Sequence, residues 1–172
     1  DDLKLSGVNS INWARVVAQS VYYFTSAVVL GGPHRPVSFT VPTGNFGDIL
    51  AGYIAKRMGL PVDRLVVATN ENDILERTLA SGTYEVRGVV PTQSPSMDIQ
   101  VSSNFERLIF DACGRDAATV RRLMASLQQA GAFTLPSDTL AKIQAEFDAL
   151  RTGETGTAKE MSRVHAECGL LI

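Results

Sequence analysis

Apolar positions in the first half of the chain alternate between two periods. From Asn9 to about Leu30, Ile11, Ala14, Ala18, Val21 and Val28 keep returning to one face of a 3.6-residue repeat. A helix is predicted there, capped by Asn9 or Ser10 and ended by Gly31-Gly32-Pro33. Arg35 to Val41 (RPVSFTV) is short, β-branched and aromatic, hence a strand. Leu50, Ile54 and Met58 then recur every four residues beside Ala51 and Ala55, a second helix stopped by Gly59 and Pro61. Leu65 to Ala68 reads as a buried strand and Asp73 to Ala80 as a short helix. Strand, helix, strand, helix at these lengths implies βαβ units, so the expected fold class is α/β with a parallel sheet and flanking helices.

Beyond residue 85 the pattern changes. Val86 to Met97 is loop-rich, with Pro91 and Pro95, and Phe105, Leu108, Ile109 and Ala112 mark a helix beginning near Ser103. Helical patterns follow at roughly 116–130, 136–151 and 158–168, separated by Gly131 to Pro136 and by the segment RTGETGT. The expected organisation is an α/β part over residues 1–102 and a largely helical part over 103–172. The helical part either caps the sheet within the same domain or forms an excursion from it.

Composition narrows the function classes. The chain has 172 residues, 45% of them hydrophobic, enough for one sizeable core. Sixteen basic residues against eighteen acidic ones leave no electrostatic footprint for nucleic acid or an anionic membrane. Apolar runs such as Ala27 to Leu30 fall far short of the ~20 residues that span a bilayer, and no signal peptide is visible. Cys113 and Cys168 lie far apart with no His or Cys beside them at metal spacing, so a reduced cytoplasmic protein without a metal is expected. The first residue is Asp1, not Met, and the last four are the apolar Gly169 to Ile172; a piece of a longer protein is expected.

The stretch that carries chemistry is VPTGNFGD, residues 41 to 48. It falls where a strand ends and a helix begins, the place where ligands sit in open α/β sheets. First-turn N–H groups lack intrahelical partners, the helix dipole adds positive potential, and glycine lets a backbone approach a ligand closely. Asn45 adds a neutral donor, while Asp48 is better placed as a cap or first-turn acid facing the helix N–H groups. Neither nucleotide fingerprint, GxxxxGK[ST] or GxGxxG, is met. A plain glycine turn into a helix and an anion site both fit.

Four blocks break that tie: NSINWARVVAQSVYYF (Asn9 to Phe24), VPTGNFGDILAGYIAKRMGLP (Val41 to Pro61), VATNENDIL (Val67 to Leu75) and SPSMDIQVSSNFERL (Ser94 to Leu108). In this order they resemble successive blocks of threonine synthase and cover most of residues 3 to 110. The resemblance implies a pyridoxal-phosphate-dependent enzyme of the tryptophan-synthase β-subunit-like fold. Such an enzyme converts O-phosphohomoserine and water to threonine and phosphate. It also implies that Gly44, Asn45, Phe46 and Gly47 hold the cofactor's phosphate. The lysine that bonds the cofactor stands, in the family, upstream of the first block seen here. None of the four lysines, Lys4, Lys56, Lys142 and Lys159, has that context, so the chain alone is expected to be inactive. The rival is a non-catalytic phosphate- or nucleotide-binding module using the same turn.

Further polar residues are candidates for the substrate. Asn9 and Asn12 open the first helix, where capping is the alternative, and the same choice applies to Asn70 in TNEND. Ser96, Asp98, Ser103, Asn104 and Arg107 form a polar approach to a helix that suits a second phosphate, or else a solvated loop and capped helix. His34, His165 and Arg121-Arg122 read as surface groups, Trp13 and Tyr22-Tyr23-Phe24 as core. Oligomeric state is not legible.

Overall fold

The central strand of the sheet is β2 (Val62–Thr69), which pairs in parallel with β1 (Val37–Pro42) on one side and β5 (Phe147–Arg151) on the other. The structure, a computed structural model, describes residues 9–169, so Lys4 and Leu170 to Ile172 lie outside the described residues. Register places Val41 beside Val67 and Val67 beside Ala149. Val62, Leu65, Val67 and Thr69 are all buried, as a strand enclosed by neighbours on both edges requires.

Helix α1 (Trp13–Val29) begins later than its apolar pattern. Asn12 is its N-cap, accepting from the Ala14 N–H at 3.0 Å, in place of the expected Asn9 or Ser10. Val16, Ser20, Tyr23 and Ala27 form its buried stripe. This stripe meets α2 (Gly47–Arg57), and the contact depends on Gly52. A β-carbon there would lie 2.5 Å from the Tyr23 ring and 3.0 Å from Leu65 Cδ2. The Tyr23 ring also meets Phe39 edge-on at 4.9 Å, and its hydroxyl donates to the Asp48 carbonyl at 3.0 Å and to Asp48 Oδ1 at 3.1 Å. Trp13 and Tyr22, expected in the core, are exposed on α1.

The second half contributes to the sheet. The helix expected over 136–151 ends as α6 (Ser137–Glu146), and Phe147 turns directly into extended backbone (φ −122°, ψ 139°) to begin β5. Leu140, Ile143, Phe147 and Leu150 keep helical spacing throughout, so local pattern did not mark the change. Pairing with the open edge of β2 supplies backbone hydrogen bonds, and Phe147 is buried against Phe46 and Tyr53. Arg64 on β2 secures the junction, donating to Asp148 and to the carbonyl of Ala145. A short antiparallel pair, β3 (Thr83–Glu85) with β4 (Ala132–Thr134), is likewise unannounced by the sequence. Tyr84 and Phe133 stack across it at 4.8 Å. The other helices, α3 (Ile74–Ser81), α4 (Phe105–Ala112), α5 (Ala117–Ala130) and α7 (Glu154–Cys168), lie within a few residues of expectation. No helix among the described residues is long and apolar enough to cross a membrane.

Substituting Gly52→Ala forces a methyl group into the Tyr23 ring. The overpacking cost of about 1–3 kcal/mol exceeds the ~1 kcal/mol that alanine gains in a helix. The thermal midpoint is expected to fall; a midpoint equal to or above wild type would show that the α1–α2 contact does not depend on this glycine.

Candidate anion-binding site

The turn between β1 and α2 is held from behind. Thr43 donates its N–H to the Ala68 carbonyl at 2.8 Å and its hydroxyl to the Val41 carbonyl at 2.6 Å, which ties the end of β1 to β2. Ser102 Oγ donates to the Gly44 carbonyl at 2.8 Å. Asn104 donates to the Asn45 carbonyl twice, from its N–H at 3.1 Å and its Nδ2 at 2.9 Å. The same Nδ2 reaches the Ser10 carbonyl at 2.8 Å, so the fully buried Asn104 joins three segments. In a trans peptide the N–H opposes the C=O, so pulling these carbonyls to one side turns the following amides to the other.

Phe46 completes the turn with a left-handed backbone (φ 63°, ψ 7°). That conformation costs a non-glycine residue roughly 1–2 kcal/mol. Its ring, 1% exposed, meets Phe105 at 5.3 Å and Phe147 at 5.6 Å. Burial of such a ring contributes about 1.5–3 kcal/mol, enough to offset the strain. Gly44 is needed for a different reason: a β-carbon there would lie 2.4 Å from the Ser96 carbonyl oxygen.

On the open side, the N–H groups from Gly44 through Ile49 have no acceptor among the described residues. They border a cavity of about 360 Å3 whose other walls are Ser10, Arg15 and Gln19 from the α1 side and Ser96-Met97 from the loop. Arg15 makes no hydrogen bond or ion pair among the described residues. The Asp48 carboxylate is engaged by the Tyr23 hydroxyl, and no side chain caps α2, so of the two roles expected for Asp48 it is the first-turn acid and not the cap. Burial, then the adjacent Asp48 charge, raises the Tyr23 pKa far above the ordinary phenol value, which keeps its hydroxyl a donor. The result is a pocket bordered by unpartnered amide donors, a guanidinium without a partner among the described residues and a positive helix end.

Gly44, Asn45, Phe46 and Gly47 all line this cavity, as does Ser96. Ser103 and Asn104 stand behind the turn, with Ser103 Oγ 3.3 Å from Asn45 Oδ1. The Arg107 guanidinium is occupied by Asn104 Oδ1 at 2.8 Å and the Ile11 carbonyl at 2.7 Å, and it covers the Trp13 ring. Asn9 accepts from the Ile11 N–H at 3.2 Å at the entrance to α1, and Asn12 caps that helix. Asn70 and Asp98 belong to a separate network. Asp98 Oδ1 receives the Thr92 hydroxyl at 2.7 Å, Asn70 Nδ2 at 2.7 Å and Asn72 Nδ2 at 3.0 Å, while Oδ2 receives the Thr92 N–H at 2.7 Å. It fastens the loop after β3 to the end of β2. Sequence reasoning missed Arg15 and Gln19; their i, i+4 spacing on the predicted helix, just after NSIN, was the available signal.

No described lysine lines the cavity. Lys56 pairs with Glu146 at 2.5 Å, Lys142 donates to the Ala112 carbonyl at 3.3 Å, and Lys159 is exposed on α7. Among the described residues, no cluster of His, Cys, Asp or Glu is arranged for a metal.

No family model matches the chain. Threonine synthase of Pseudomonas aeruginosa is 48% identical over 169 residues, 98% of this chain and 36% of that protein. The threonine synthase of Corynebacterium glutamicum is 47% identical, over 99% of this chain and 37% of the relative. The crystal structure of a PLP-bound threonine synthase from Brucella melitensis has a TM-score of 0.96 at 62% identity, covering 99% of this chain and 37% of that one. Threonine synthase from yeast gives a TM-score of 0.86 at 42% identity, over 91% of this chain and 33% of its own. The chain thus spans about a third of the length of the relatives it matches.

Hydrogen bonding from the Thr92 hydroxyl, aided by Thr92 N–H, Asn70 and Asn72, holds the Asp98 pKa below the ordinary carboxylate value. The stability it contributes is complete above the unfolded pKa of about 3.9 and is lost as pH falls through the lower folded value. Protection of the Val90 and Thr92 amides, measured against the intrinsic exchange rate at each pH, is expected to fall in that acid window. Asp98→Asn is expected to raise exchange there at neutral pH and to flatten its acid dependence; an unchanged profile would remove Asp98 as the fastener.

Proposed function

We propose that this chain, a segment of the threonine synthase family about a third as long as the matched members, supplies the phosphate-holding half of a pyridoxal-phosphate site. The parent activity is the conversion of O-phosphohomoserine and water to threonine and phosphate. What carries the reading is the run of backbone N–H groups from Gly44 through Ile49, free of acceptors among the described residues and bordering one cavity. A phosphate dianion accepts from several donors at once, and the N-terminus of the 11-residue α2 adds favourable potential. The fit is also chemical. Backbone amides hold an anion without offering an acidic proton that would compete with proton transfers at the substrate.

Pyridoxal phosphate, when bound, supplies the electron sink that lets the substrate lose protons beside its amino group. This chain's residues do the holding and orienting. The captured carbonyls of Gly44 and Asn45 keep the amide donors aimed before any ligand arrives, so little reorganisation is needed on binding. Arg15, free of protein partners among the described residues and on a wall of the same cavity, is the group best placed for a second anion, the substrate's own phosphate. That role was expected of Arg107, whose guanidinium is already engaged by Asn104 and Ile11. Among the described residues no lysine lines the cavity, and on this reading the chain alone binds without turning over.

Titration with pyridoxal phosphate, pyridoxal and inorganic phosphate separates the terms. Pyridoxal phosphate and phosphate are expected to bind and pyridoxal is not, with no phosphate released from O-phosphohomoserine by this chain. Preference for a nucleotide over pyridoxal phosphate would favour the binding-module reading instead. Arg15→Ala is expected to weaken inorganic phosphate about tenfold or more, the loss of one charge-assisted contact of roughly 1.5–3 kcal/mol. Unchanged calorimetric affinity would take Arg15 out of the site.

A further inference from the structure

Between Arg15 and Arg35 the sequence contains no Asp, Glu, Lys or Arg, yet these residues include most of α1. The helix has two apolar sides. One is the buried stripe against α2; the other, facing away, carries Val17, Val21, Val28, Tyr22 and Val29 at exposures of 42%, 55%, 65%, 65% and 85%. Ala14, Ala18 and Thr25 lie between these larger residues and give the face a shallow floor. The Thr25 hydroxyl donates to the helix's own Val21 carbonyl at 3.0 Å, so it adds no outward-facing donor to the face. Helices that are apolar all round are interior helices.

We infer that the outward face of α1 is an internal docking surface, covered by the remainder of a threonine-synthase-length chain. The inference rests on the functional reading above. The relatives matched over nearly all of this chain are close to three times its length, so polypeptide of the required size exists in them beyond the matched segment. The location is the second argument. α1 presents Arg15 and Gln19 to the anion cavity, whose lining includes no lysine among the described residues. A covering part that seats on α1 is brought next to the cavity that needs its nucleophile. The occupant is therefore apolar and uncharged over a patch about the length of α1, roughly 25 Å at 1.5 Å per residue. Neither a second copy nor a membrane surface answers both observations: none of a copy's described lysines lines the cavity, and surface-lying helices carry cationic residues along their flanks.

The test uses the complete product of the gene, whatever its length. Val21→Asp combined with Val28→Asp is expected to lower its thermal midpoint by about 10 °C, the effect of burying unpaired charge. A Val29→Thr variant is the milder control, expected to fold with a smaller loss. An unchanged midpoint in the double variant overturns the proposal. Sedimentation is read on the same samples: a wild-type dimer that becomes a folded monomer in the variants assigns the face to a second copy, which also overturns it. A reducible pyridoxal-phosphate adduct in the complete wild-type product reports on the functional reading separately. Its absence would sink that reading without altering the stability comparison.

Discussion

The backbone carbonyls of Gly44 and Asn45 are held by Ser102 and Asn104, residues more than fifty positions away in the chain. The polarity of the cavity follows from that capture. A peptide group has only two hydrogen-bonding ends, and tying down the carbonyl end decides where the N–H end points. Asn104 is fully buried and also holds the Ser10 carbonyl, so the same side chain fixes the start of α1 relative to the turn. The loop between β3 and α4 is thereby a structural part of the site even where it does not line the cavity, and Asp98 anchors that loop to the end of β2.

A second constraint links the two halves of the chain. Phe46 accepts a strained left-handed backbone because its ring is packed between Phe105 of α4 and Phe147 of β5. The turn's shape therefore depends on a strand contributed by the second half. That half also forms the far edge of the sheet, so residues 147–151 are sheet in a region whose sequence promised only helix. The cavity and the aromatic core lie on opposite sides of one turn, and neither is complete without the other.

How much was legible follows from the range of the forces involved. The first helix, the first two strands and the glycine turn were readable because burial on one face leaves a periodic trace and turns favour glycine. Strand β5 was not, because Leu140, Ile143, Phe147 and Leu150 continue a helical spacing and only an open β2 edge selects extended backbone. Gly44 to Gly47 were readable as an anion turn, and the resemblance of the neighbouring blocks added only the expectation of a cofactor anchor. Asn104 was expected at a substrate and stands instead as the clamp behind the turn. Arg107 stacks on Trp13, whereas Arg15, passed over, is the arginine on the cavity wall.

The sequence by itself determined which segments bury a face and where the chain turns. These are local properties, written in composition and spacing. Only the tertiary structure decided which way the amides of Asn45 and Phe46 turn, that Arg15 stands on the cavity wall without a partner among the described residues, and that α1 is apolar on a side those residues leave uncovered. Each of those depends on which distant group claims a hydrogen bond or a surface first, and that competition is settled only when the segments are packed together.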